Sequence, residues 1–301
     1  MVRNHSFDPR KKTILLNSHL DTVPANEGWT HNPFEPVILD GKLFGLGSND
    51  AGGSLLGLLA TFLYFYDQTD LTGNLIFLAS AEEEISGKKG VESVLPDLGP
   101  VSFGIVGEPT RLRLAIAEKG LMVLDCKTTG LAGHAARDEG INAIYKAIED
   151  IEWIRNYQFP EKSKLLGEVK MTVTRIQAGS RHNVIPEICE FVVDVRSTEV
   201  YTHEQILNRV KENLSCEVNA RSTRLQSSSI DESHVLVKAA RSLGLNTFGS
   251  GTLSDQALMP FPTAKIGPGD SARSHTADEF IRIDEIKEGI EIYTELIGKL
   301  I

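Results

Sequence analysis

Four times along this chain an apolar stretch stops at, or turns into, a carboxylate or an imidazole. Ile14-Leu15-Leu16 runs into Asn17-Ser18-His19-Leu20-Asp21, and Leu75-Ile76-Phe77-Leu78 leads to Glu82-Glu83-Glu84. The segment Val101 to Val106 ends at Glu108, and Asp50 lies in the turn before an apolar helix spanning Ala51 to Tyr66. Short, continuously apolar runs are the pattern of strands buried on both faces. Alternating with helices, they predict an α/β fold with an open mixed sheet flanked by helices. In such sheets chemistry collects where the strands end.

After Arg113 the pattern changes. Strand 121–129, helix 141–157, strands 168–177 and 188–196, helix 202–214 and strand 217–225 follow in βαββαβ order, the ferredoxin-like arrangement. Ile141, Ile144, Ile148, Ile151 and Ile154 recur at helical spacing, and Thr202 with Gln205 forms a capping box. An edge strand of that sheet offers a pairing surface for a second copy, so a homodimer through this unit is expected. Helix 232–243, the Gly-rich loop Gly249-Ser250-Gly251, strand Thr263 to Ile266 and helix 284–300 complete the chain. The expected division is a catalytic domain in two parts, 1–117 and 227–301, with an inserted dimerisation or lid domain at 118–226.

Composition narrows the function. The 301 residues are about two domains' worth. Asp and Glu number 41 against 31 Lys and Arg, a net charge of −10, which discourages nucleic acid and anionic membrane as partners. The longest apolar run, Leu55 to Tyr66 with Gly57 and Thr61 inside it, falls short of the ~20 residues a bilayer requires. Met1 to Arg10 carries no apolar signal core, so a cytoplasmic location is expected. Cys126, Cys189 and Cys216 show no C-x-x-C spacing and are expected as buried free thiols. There is no G-x-S-x-G elbow and no phosphate loop, and Asp50 stands where a dinucleotide fingerprint requires its third glycine.

Carboxylates and imidazoles are zinc's oxygen and nitrogen ligands, and one carboxylate can bridge two metals. His19, Asp50, Glu108, His275 and one of the three glutamates supply five ligands, and a second glutamate supplies a base. Asp21, two residues after His19, is placed to accept the spare imidazole N–H. Taken singly, each motif reads plainly as a satisfied pair, a solvated helix start or a turn. Jointly, they would gather carboxylates whose desolvation needs cations.

In their order, Ser18 to Pro24, Gly47 to Gly53, Ala81 to Glu84, Gly107 to Thr110, Gly133 to Ala136 and Ser274 to Phe280 resemble the M20 metallopeptidases, the acetylornithine deacetylase and succinyl-diaminopimelate desuccinylase group. The texture is nearest to the N-acyl-L-ornithine deacylases, including the N-succinyl type. The resemblance implies a zinc-exopeptidase-like sheet with two Zn²⁺, for which Co²⁺ may substitute. It places His19 and Glu108 on one metal, Glu84 and His275 on the other, and Asp50 between them. Asp21 would buttress His19, Glu83 would be the general base, and the Asp50–Ala51 peptide would be cis. His134 would donate to the oxyanion from the partner subunit. Arg196 reads either as a surface salt bridge or as a clamp for a substrate carboxylate. Asn183 reads either as a turn residue or as a substrate contact. The resemblance favours the substrate reading for both.

The implied reaction is hydrolysis of N-acetyl- or N-succinyl-L-ornithine to L-ornithine and a carboxylate, as in arginine biosynthesis. Succinyl-diaminopimelate desuccinylase, aminoacylase and dipeptidase activities share the same fold and metals. The rival from another class is a catalytically silent, metal-stabilised binding protein, against which the intact Glu83 and His134 argue. Family members usually carry a further helical segment ahead of the His-x-Asp strand. Only 18 residues precede His19 here, so either this sequence begins late or packing on one flank of the sheet is missing.

Overall fold

The computed structural model describes residues 1–137 and 139–301. The chain divides into two compact units, one comprising 1–117, 229–250 and 254–301, the other 118–228 with 251–253. The first unit begins with β1 (Val2–Arg3), β2 (Thr13–His19), β3 (Val37–Leu39), β4 (Lys42–Phe44), α1 (Gly53–Phe65), β5 (Asn74–Ser80), α2 (Val91–Leu98), β6 (Phe103–Gly107) and β7 (Leu114–Glu118). The second holds β8 (Gly120–Thr129), β9 (Gly133–His134), α3 (Ala143–Asn156), β10 (Lys170–Ala178), β11 (Val184–Ile185), β12 (Ile188–Ser197), α4 (His203–Asn213) and β13 (Glu217–Ala220). The chain returns through β14 (Ser228–Ser229), α5 (Val235–Ser242), β15 (Thr247–Ser250), β16 (Thr263–Ile266), β17 (Phe280–Arg282) and α6 (Ile283–Gly298).

The large sheet is mixed, in the order β1-β5-β2-β6-β16-β7-β14, with β15 also paired to β7. Its centre is parallel: β2 pairs with both β5 and β6, and β16 with β6. Ile14 and Leu16 of β2 pack with Leu75, Phe77 and Ile105 against Leu58 and Phe62 of α1 and Tyr293 and Ile297 of α6. Leu15 joins Ile76, Leu78 and Val106 on the opposite face, under Val91 and Leu98 of α2. Alternate residues of one strand thus serve two cores. A strand covered on both faces has nowhere to place polar groups except at its ends.

The second unit carries an antiparallel sheet in the order β10-β12-β8-β13, which is the ferredoxin-like order. The capping box of α4 is formed, Thr202 with Gln205. The face of α3 differs from the expected isoleucine stripe. Ala143, Ala147, Asp150 and Ile154 are buried, whereas Ile141 before the helix and Ile148 on it are 53% and 45% exposed. Small residues fill the start of the buried face, Ile151, Trp153 and Ile154 pack on the core further along, and Tyr145 and Ile148 are turned outward.

Other departures are local. The expected helix from Ala51 starts later, at Gly53, because Asp50 and Ala51 are non-helical, in a turn over Ser48–Gly52. The strand expected to reach residue 225 stops at Ala220, and the helix expected from 232 starts at Val235, after its cap His234. The Gly-rich loop is partly strand, β15. Among the described residues no helix is long and apolar enough to cross a membrane. All three cysteines are free thiols; Cys126 and Cys189 are buried and Cys216 is partly exposed.

Candidate metal centre

His19 is the last residue of β2 and is 2% exposed. Its Nδ1 donates to the main-chain carbonyl of Asp21 at 2.9 Å, which leaves Nε2 aimed outward. Nε2 lies 3.2 Å from Asp50 Oδ1 and 4.0 Å from Glu108 Oε1. The other oxygen of Asp50, Oδ2, is 3.7 Å from His275 Nε2, which is in turn 3.0 Å from Glu84 Oε2. One carboxylate therefore stands between two imidazoles, each of which has a second carboxylate beside it. The donor atoms of His19, Asp50 and Glu84 lie within 4.8 Å of one another.

Asp50 is aimed by a loop that has little freedom. Gly47 has φ +75°, where a side chain is strained, and the Asp50–Ala51 peptide is cis. The carboxylate of Glu279, 2% exposed, accepts the main-chain N–H groups of Gly47, Asn49 and Asp50 at 3.0, 2.9 and 2.9 Å. Asn49 reaches to the loop that carries His275: its amide oxygen accepts from Asp270 N at 2.9 Å, and its amide nitrogen donates to the Asp270 carbonyl at 3.0 Å. Asn26 holds the His275 carbonyl at 2.9 Å. Glu108 follows Gly107, where a Cβ would come within 2.8 Å of Leu58 and 3.0 Å of Ser54. A side chain at that strand end would force its packed neighbours to shift.

The buttressing expected of Asp21 takes a different form. Its carboxylate is 3.7 Å from His19 Nδ1, because it is spent on the main-chain N–H groups of Glu83 and Glu84, at 3.2 and 3.1 Å. Asp21 thereby ties the loop after β5 to the end of β2. Glu279 and Asn49 are residues to which sequence reasoning gave no role, although both lie inside the motifs Ser274 to Phe280 and Gly47 to Gly53. The signal was an acid and an amide at buried positions, which one sequence does not reveal.

Crowded carboxylates must share protons or a cation. Burial drives the Glu83 carboxyl up to about 9, helped by the nearby Glu108 charge and opposed by His19. Burial likewise raises Glu84, with Asp50 adding to it. Burial works against a charged His19, but the bond to Asp50 and the charges of Glu108 and Glu83 outweigh it and lift the imidazole to about 11. Asp50 is lowered, burial being overcome by His19. The positive charge taken up by this imidazole is what a divalent cation would bring, and the set of nitrogen and oxygen donors fits one.

The remaining candidates lie in the second unit. Gly133–His134 pairs with Val184–Ile185, and Ala135 N donates to the Asn183 carbonyl at 3.1 Å, so His134 and Asn183 are neighbours. Ala136 N donates to His134 Nδ1 at 3.1 Å, which leaves the proton of the neutral ring on Nε2. The Arg196 guanidinium is forked on Asp194 at 2.8 and 3.1 Å, the salt-bridge arrangement weighed above.

The sequence profile of Peptidase family M20/M25/M40 matches residues 15–299. Acetylornithine deacetylase of Proteus mirabilis is 31% identical over 96% of this chain and 78% of its own length. The enzyme of the same name from Pectobacterium carotovorum is 30% identical over 95% and 80%. In structure the chain is similar to aminopeptidase PepT of Bacillus cereus, with a TM-score of 0.78, 18% identity and coverage of 99% and 83% of the two chains. It is also similar to a dinuclear metal-binding M20 peptidase of Bacillus subtilis, with a TM-score of 0.66, 19% identity and coverage of 95% and 81%. With that profile spanning nearly its whole length, the chain belongs to peptidase family M20/M25/M40 and is a metal-dependent hydrolase.

Proposed function

We propose that this hydrolase cleaves the amide bond of an N-acyl amino acid, N-acetyl- or N-succinyl-L-ornithine, releasing L-ornithine and the carboxylate. The observation that carries the proposal is Asp50, with one oxygen toward His19 and the other toward His275. Relatives about 30% identical, named acetylornithine deacetylase, support the substrate class. In this reading His19 and Glu108 hold one cation, Glu84 and His275 the other, and Asp50 both. The cations, Zn²⁺ with Co²⁺ as substitute, supply Lewis acidity toward the acyl carbonyl when bound.

The protein's own residues do the proton work. Glu83, a buried carboxyl that the charge of bound cations would keep ionised, takes the proton of the attacking water, and its burial then favours holding that proton until it is delivered to the departing amine nitrogen. His134 Nε2–H is the donor for the tetrahedral oxyanion, reaching the site of the partner subunit in a cytoplasmic homodimer. The dimer is supported by the edge position of β10 and by the exposed apolar side chains of Leu131, Ile141, Tyr145 and Ile148. Asn183, beside His134, and Arg196 are the proposed contacts to the amino-acid part of the substrate.

The test is amine release from N-acetyl-L-ornithine and N-succinyl-L-ornithine, side by side, by zinc-loaded protein at neutral pH. Release from either supports the reading and names the acyl group. Silence on both, from protein whose zinc content is verified, sinks it.

A further inference from the structure

A buried carboxylate outside the ligand set stands directly beneath the centre. Asp255 opens a short 3-10 turn, Asp255–Leu258, and is 4% exposed. A single oxygen, Oδ2, accepts both the Ser80 hydroxyl at 2.6 Å and the Asn17 amide at 2.9 Å. Asn17 lies two residues before His19 on β2, and Ser80 is the last residue of β5, four before Glu84. The two strands run parallel in register, with Asn17 opposite Leu78 and His19 opposite Ser80. The ladder ends there, with Leu20 N donating to the Ser80 carbonyl at 2.9 Å. Beyond that point both chains leave the sheet to carry the reacting groups.

We infer that Asp255 is a positioning residue of the metal centre, clasping the ends of β2 and β5 so that His19 and the Glu83–Glu84 pair keep a fixed separation. Burying a carboxylate is costly, and an apolar residue in its place would pack without that cost. Asp255 also adds negative charge near Glu83. What it contributes in return is a clamp across two strands at the point where main-chain pairing gives out. A positional error of about 1 Å at such a centre costs on the order of 100-fold in rate.

The activity part of this inference rests on the hydrolase reading above, whereas its spectroscopic part does not. Because both bonds end on one oxygen, Asp255→Asn keeps them through its carbonyl while removing the charge. Asp255→Ala loses both, and Ser80→Ala loses one. In cobalt-loaded protein, Asp255→Ala is expected to shift the Co²⁺ d–d bands and lower kcat about 10- to 100-fold, with KM within about twofold. Asp255→Asn restores the spectrum and brings kcat within about threefold of the parent, and Ser80→Ala falls between. An unchanged spectrum and kcat in Asp255→Ala overturn the inference, as does failure of Asp255→Asn to restore them. Should Asp255→Ala not fold, Ser80→Ala decides by the same two readouts. If the parent protein releases no amine at all, the cobalt spectra alone decide, and the fault lies with the substrate reading.

Discussion

Glu279 accepts the main-chain N–H of Asp50 at 2.9 Å, and through the same carboxylate it accepts two more N–H groups of the turn that presents Asp50 to both imidazoles. Charge-assisted bonds of this kind hold a backbone more firmly than neutral ones. In Glu279→Gln the amide nitrogen cannot accept, so at least one N–H faces a donor. Metal affinity is expected to fall about 10- to 100-fold, as for other residues that orient ligands. Competition with a chromophoric chelator measures it; unchanged affinity would show that the turn holds itself.

Glu83→Gln keeps the shape of the side chain and removes its proton-carrying capacity. Metal content is expected to remain at the parent level while kcat falls about 10²- to 10⁴-fold. A variant that hydrolyses as fast as the parent would assign the base elsewhere.

His134→Ala is expected to lower kcat about 10²- to 10³-fold. If His134 serves the neighbouring subunit, mixing His134→Ala with Glu83→Gln protein restores activity, since a hybrid dimer has one site with both groups intact. Mixtures no better than either variant alone would place His134 in its own subunit's site or outside catalysis.

His203 is fully buried, with Nδ1 donating to the Thr223 carbonyl at 3.0 Å and Nε2 accepting from the Ser197 hydroxyl at 2.8 Å. Burial lowers its pKa from the ordinary 6.5. In the unfolded chain it takes up a proton first, so stability is full above about pH 6.5 and declines as pH falls toward the depressed folded value. The loss is read as a melting point that falls as pH is taken below about 6.5. His203→Asn, which keeps the donor to Thr223, should flatten that dependence. An equal pH slope in parent and variant would clear His203 of it.

Two of the proposed ligands were legible in the sequence because each follows an apolar run, and strands buried on both faces gather polar chemistry at their ends, whereas Asp50 and His275 were legible only through the motifs that contain them. His19, at the end of β2, and Glu108, just after β6, show this most directly. What one sequence concealed were the groups that hold the ligands. Glu279 and Asp255 are acids whose burial becomes visible only when distant segments meet, 229 residues apart for Glu279 and Asp50, and 175 for Asp255 and Ser80. The face of α3 was obscured for a different reason: isoleucines at helical spacing suggested a core, but Ile141 and Ile148 are exposed while Ala143 and Ala147 are buried beside Ile154.

The most direct measurement is a calorimetric titration of chelator-treated protein with Zn²⁺, in parent and in His275→Ala. A centre bridged by Asp50 predicts about two equivalents of Zn²⁺ per chain in the parent and about one tight equivalent once His275 is removed. Binding of a single equivalent that is indifferent to His275, or no tight binding at all, would contradict a two-metal centre.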